Sequence, residues 1–98
     1  LYHKKDPRVV EIDQFNVEVV PEGHMLLILN IDRPGVIGMV GKVLGDNQIN
    51  IVRMQCALEK RGGNAMLIIG SDAGFPDKVL QTIKSSKDIL SVKVADLS

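Results

Sequence analysis

An α+β sandwich is the fold class this sequence predicts, with a short β-hairpin leading strands and helices in the order β-α-β-β-α-β. Three observations predict it. Apolar and polar residues alternate between Arg8 and Val20. Two stretches that open near a proline, Val36 to Leu44 and Val79 to Ile83, carry apolar residues at helical spacing. The remaining apolar runs are short and bounded by turn-forming residues, as strands are.

Taken in order, Arg8 to Ile12 reads as a strand, and Asp13-Gln14 turns it into Phe15 to Val20. Pro21-Glu22-Gly23 then breaks the chain, so residues 1–22 form a leading segment with its hairpin and residues 23–98 the main body. His24 to Ile31 is nearly all apolar and fits a strand covered on at least one face. Asp32-Arg33-Pro34-Gly35 ends it, and Pro34 suits the first turn of the helix that follows, where a missing N–H costs nothing. Asp46-Asn47-Gln48 closes that helix. Ile49 to Leu58 and Ala65 to Gly70 are paired strands across the turn Glu59 to Asn64. Pro76 starts the second helix, Ser85 to Asp88 ends it, and Ile89 to Val94 is the last strand. With right-handed crossovers this order gives a four-stranded antiparallel sheet with both helices on one face, a ferredoxin-like βαββαβ sandwich. Its other face is bare unless something covers it. Met25, Leu27, Leu29, Met54, Cys56, Met66 and Ile68 are candidates for that face, and their parity stays open.

Composition narrows the function. The chain has 98 residues, 45% of them apolar, which suits one domain with a real core. Aromatic residues are scarce, so the core is aliphatic and the stacking platforms of single-strand nucleic-acid binders are missing. Twelve basic and twelve acidic residues cancel, and the one basic cluster, His3-Lys4-Lys5, reads as a terminal segment, so no nucleic-acid partner is expected. The single cysteine, Cys56, excludes an intrachain disulfide and is expected to be buried and inert. No run is long enough to span a bilayer and no signal peptide opens the chain, so a cytoplasmic location without membrane contact is expected. The start at Leu1 leads to the expectation of a fragment from a longer protein.

The informative stretch is the strand-to-helix turn, Asn30 to Gly38. Backbone N–H groups at a helix start attract a carboxylate, while Asp32 just before it suits an ammonium group. Together they form a grip for a zwitterionic amino acid, with Asp32 as the helix N-cap the alternative. Gly35, Gly38, Gly41 and Gly45 share a helical stripe that something approaches closely, either the sheet and second helix or a neighbouring subunit or ligand. These glycines lie inside the helix at the wrong spacing for a dinucleotide-binding turn. Asn50, at the mouth of the next strand, is either a ligand contact or ordinary turn chemistry. No catalytic constellation is visible; His24 has no evident carboxylate, Ser or Cys partner in the sequence, so the chain alone is not expected to be an enzyme.

The stretch Asp32-Arg33-Pro34-Gly35-Val36-Ile37-Gly38, with Asn47-Gln48-Ile49-Asn50-Ile51 and Met54-Gln55 downstream, resembles the ACT domain. It is similar to the version at the C-terminus of D-3-phosphoglycerate dehydrogenases, as are the Arg-Val-Val-Glu-Ile strand and the closing Val94 to Ser98. The resemblance implies a regulatory domain, residues 23–98, that forms a homodimer by packing side by side into an eight-stranded sheet. It implies an amino-acid effector, L-serine, at the junction, contacted by Asn30, Asp32 and Asn50, the last from the partner subunit. Backbone groups around Arg33, Pro34, Gly35, Val36 and Ile37 would complete the pocket. No metal and no cofactor are implied in this chain; NAD would bind in the missing part of the parent enzyme. Asn30 departs from the pattern, because serine-binding members carry a larger ring-bearing side chain there. That departure keeps open a pure assembly module without effector. The ACT module of an L-serine dehydratase subunit is the other alternative, although those modules usually depart from Arg-Pro-Gly at the turn.

Overall fold

The structure is a computed structural model that describes residues 8–12, 15–20, 23–59 and 63–97. The basic cluster at residues 3–5 and the turn residues 13–14, 21–22 and 60–62 lie outside the described residues. The elements are β1 (Arg8–Ile12), β2 (Phe15–Val19), β3 (Gly23–Ile31), α1 (Val36–Asp46), β4 (Ile51–Leu58), β5 (Asn64–Ser71), α2 (Asp77–Lys84) and β6 (Ile89–Leu97). Strands β3 to β6 form one sheet in the order β4-β5-β3-β6 with every neighbouring pair antiparallel, while β1 and β2 pair only with each other. The ferredoxin-like order read from the sequence is therefore the observed one.

Both helices share one side of the sheet. Leu26 and Ile28 of β3 and Leu67 and Ile69 of β5 lie beneath Val36, Val40 and Leu44 of α1 and Val79 and Ile83 of α2, all buried. These positions follow the two-residue period of the strands and the helical period of α1 and α2. Each fully buried aliphatic side chain contributes about 1.5–3 kcal/mol as an upper estimate, so this cluster is the main source of stability.

The opposite face belongs to Met25, Leu27 and Leu29 of β3 and to Met66 and Ile68 of β5. It is not bare. Phe15, Val17 and Val19, the inward-facing side chains of β2, pack onto it and are buried there, and Asn16 and Glu18 alternate outward. The hairpin is thus a third layer whose apolar side has a defined partner.

Two of the candidates for that face, Met54 and Cys56 of β4, lie on the other side of the sheet. Met54, Cys56 and Leu58 stand opposite Ile69, Leu67 and Ala65, so they share the helix side of the sheet and not the hairpin side. All three are exposed, because β4 is an edge strand that the helices do not cover. Cys56, expected to be buried, is on the surface. An irregularity between Ile51 and Arg53 inserts Val52 as an extra residue, and it too is exposed.

Two strand boundaries differ from the sequence reading by more than one residue. Strand β4 begins at Ile51 instead of Ile49. At the end of α1 the Asn47 side chain donates to the Val43 carbonyl at 2.8 Å, and Gln48 takes a left-handed φ of 61°. That turn drops Ile49 into the core before the strand starts. Strand β6 runs on to Leu97, paired with β3 back to Gly23. Among the described residues, no helix is long and apolar enough to cross a membrane.

Candidate functional site

The turn from β3 into α1 carries most of the predicted site. Asn30 is the last residue of β3 on the helix side and only 3% exposed. Its Nδ2 donates to the Ile31 carbonyl at 3.0 Å, while its Oδ1 is buried with no hydrogen-bond partner. A buried acceptor left unpaired costs about 1–3 kcal/mol, so a donor arriving there would be worth more than one arriving at the surface.

Asp32, Arg33, Pro34 and Gly35 follow as an exposed loop. Asp32 is not the helix cap. Gly35 holds the N-cap position with a φ of 94°, which an L side chain adopts only under strain, and no side chain caps the helix. Neither does an acidic residue occupy its first turn. The Val36 N–H donates to the Arg33 carbonyl at 3.4 Å. No side chain caps the helix start, so its partial positive charge is open to an outside acceptor, with the Asp32 carboxylate beside it in no ion pair among the described residues. Val36 is buried in the core and offers the site only its backbone, whereas Ile37 is half exposed. Partial burial, and then the Asp32 charge, push the Cys56 thiol up. Asn30 and Leu58 both pair with Ala65, and the Asp32 N–H donates to the Gly63 carbonyl, so Asp32 lies by the Leu58 end of β4.

Asn50 sits elsewhere. It precedes β4 at the opposite end, where its Nδ2 donates to Asp72 Oδ2 at 3.3 Å. The strand between Asn50 and Cys56 is extended, so about 20 Å separates Asn50 from Asp32's neighbourhood. No single amino acid touches both in one chain. Asp72, 22 residues away in sequence, was invisible as its partner beforehand.

The glycine stripe is open. A Cβ added at Gly35, Gly38, Gly41 or Gly45 would meet nothing within 4 Å, which overturns packing against the sheet or second helix as its purpose. Exposed large apolar side chains occur on both α1, at Ile37, and β4, at Val52, Met54 and Leu58. Gly41→Ala should raise the stability of the monomeric chain by about 1 kcal/mol, the helix-propensity difference. Urea unfolding at low protein concentration measures it, and a loss of stability would mean that the stripe is covered within the monomer.

His24 does have a carboxylate partner: its Nδ1 is paired with Asp96 across β3 and β6. Ser71 stands on the other side of His24, but its hydroxyl accepts from the Ala73 N–H at 3.1 Å. No group of three metal-binding side chains occurs among the described residues. The residues do not fit a dinucleotide, since the glycines at 38, 41 and 45 lie within α1 and Gly35 alone precedes it.

The ACT domain profile matches residues 24–88, from the start of β3 to the turn before β6. The chain belongs to the ACT domain family. It is 43% identical over 90 residues to a D-3-phosphoglycerate dehydrogenase of Bacillus subtilis, covering 92% of this chain and 17% of that protein. The corresponding enzyme of Methanocaldococcus jannaschii is 38% identical over 91 residues, 93% of this chain and 17% of the relative. That of Mycobacterium tuberculosis is 31% identical over 91 residues with the same coverages. This chain therefore spans about one-sixth of the length of these curated relatives. The similarity extends over more residues than 24–98 supply, so it reaches into the hairpin.

Proposed function

We propose that this ACT domain binds L-serine between two copies of the chain and exerts feedback control on a D-3-phosphoglycerate dehydrogenase. On this reading residues 1–22 lead in from a cytoplasmic parent enzyme, which binds NAD in its own catalytic part. Residues 23–98 form the regulatory module.

One observation carries the reading: the site residues lie at opposite ends of β4, and the outer edge of β4 is unpaired. An exposed edge strand with apolar side chains is a template for pairing. In a two-fold antiparallel pair a residue and its opposite point to the same face, so the dyad passes through a residue near the strand centre, Met54 or Gln55. Such a pairing extends the sheet to eight strands and covers Val52, Met54 and Leu58. It also sets Asn50 of the partner subunit beside Leu58, next to Asp32. The half-sites then complete each other. The effector's carboxylate meets the start of α1, its ammonium meets Asp32, and the Asn30 Oδ1 and the partner's Asn50 take the remaining polar groups. Control follows if the effector binds the paired, less active arrangement better than the other. A switch from 1:99 to 99:1 needs about 10⁴-fold differential affinity.

Isothermal titration of the chain with L-serine, with glycine and L-valine as controls, tests this. Heat specific to serine and lost in Asp32→Ala is the expected result. No heat with any amino acid, in a sample shown by light scattering to be dimeric, would replace the proposal with an assembly module.

A further inference from the structure

The loop that presents Asp32 hangs between two anchors. On one side the Asp32 N–H donates to the Gly63 carbonyl at 2.5 Å. On the other stands Asp88, a residue of the turn between α2 and β6 for which the sequence offered no functional signal. The Asp88 carbonyl accepts the Ile31 N–H at 2.8 Å, and its Oδ1 lies 3.4 Å from Nη1 of Arg33.

Regular pairing ends where Asp88 takes over. The β3–β6 register shifts between Leu29 and Asn30, so that Asn30 faces Ile89 and Leu90 becomes the extra, exposed residue. The turn itself is tied: the Asp88 N–H donates to Ser86 Oγ at 3.3 Å and the Ile89 N–H to the Ser86 carbonyl at 3.1 Å. Asp88 Oδ1 is buried without a hydrogen bond, like Asn30 Oδ1 at the neighbouring position, and among the described residues its ion-pair partner is Arg33. That pairing has a second consequence. Arg33 adjoins Asp32 in sequence, and a guanidinium not held by Asp88 would compete for the carboxylate that is meant for an ammonium group.

We infer that Asp88 is a positioning residue of the effector site, holding the 31–35 loop through its carbonyl and keeping Arg33 away from Asp32. The inference rests on the proposed effector site for its functional meaning. Its structural content is testable without any effector, because Cys56 senses Asp32.

The experiment takes the full chain with Asp88→Ala, Asp88→Asn and Arg33→Ala, plus the reversal Arg33→Asp/Asp88→Arg. Thiolate absorbance in the ultraviolet gives a pH profile for Cys56 in monomeric samples, and serine titration gives the affinity. In Asp88→Ala the freed Arg33 guanidinium should pair with Asp32, which lowers the thiol midpoint and reduces serine affinity about tenfold, whereas Arg33→Ala, with no guanidinium to compete, should reduce affinity less. Asp88→Asn keeps a side-chain oxygen for Arg33 to donate to and should move both less, while the backbone carbonyl contact to Ile31 persists in every variant. The reversal should restore both. Urea midpoints identify any variant that fails to fold, and Asp88→Asn, which keeps the shape of the side chain, covers that case. A Cys56 profile and a serine affinity both unchanged in Asp88→Ala, or an affinity lost as fully in Arg33→Ala as in Asp88→Ala, would overturn the inference. If the wild-type chain binds no amino acid, the functional proposal fails, and the Cys56 profile still decides whether Asp88 positions the loop.

Discussion

Leu67→Ala should lower the stability of the chain by about 3 kcal/mol, within the 2–5 kcal/mol range of buried leucine truncations. Leu67 lies at the middle of β5 with no exposed surface, between β3 and β4 in the sheet and beneath both helices. Its strand is hydrogen-bonded on both sides, so the backbone cannot move in to fill the space, and most of the cavity remains. A domain of this size holds about 5–15 kcal/mol in total, so the loss is a large fraction. Leu58→Ala, at the exposed edge of β4, should change the monomer by no more than about 0.5 kcal/mol. Urea unfolding of the two variants checks the contrast, with equal slopes expected. Similar losses in both would mean that β4 is covered in the monomer and that the edge described above does not exist.

That contrast marks where the sequence stopped being informative. Order and type of the elements were legible because each apolar run has its own period and is fenced by Pro, Gly, Asn or Asp. Which strand lies at an edge is a tertiary fact. Ile51 to Leu58 is as apolar as a central strand, so nothing local separates an exposed Cys56 from a buried one. The alternation in β2 showed an apolar face, but only the fold shows that Met25, Met66 and Ile68 receive it. In the site, Asp32 two residues before Pro34 had the look of a cap, and the steric freedom of Gly35 took that role from it. The paired roles of Asn30, Asp32 and Asn50 came from resemblance, and the distance between them came from the strand that separates Asn50 from the other two. Asp72 and Asp88 were hidden because their partners are far away in sequence.

The separation of Asp32 and Asn50 predicts a complementation that a site within one chain cannot show. If the proposed site between two copies holds, Asp32→Ala and Asn50→Ala should each abolish serine binding, since each would remove one half of both sites in a symmetric dimer. Mixed after unfolding and refolding together, the two variants form heterodimers. In these, one site combines both lesions and the other has an intact Asp32 facing an intact Asn50. Random assortment makes half the dimers mixed, so about a quarter of the wild-type sites should return. Their affinity should be close to wild type, because every group in the restored site is native. Titration of the mixture against each variant alone reads the result as stoichiometry, which is insensitive to modest changes in stability. Recovery of no sites, with heterodimers shown to form, would place Asp32 and Asn50 in separate functions. Binding retained in Asn50→Ala alone would confine the site to the β3–α1 turn, with Asn50 serving only to hold Asp72.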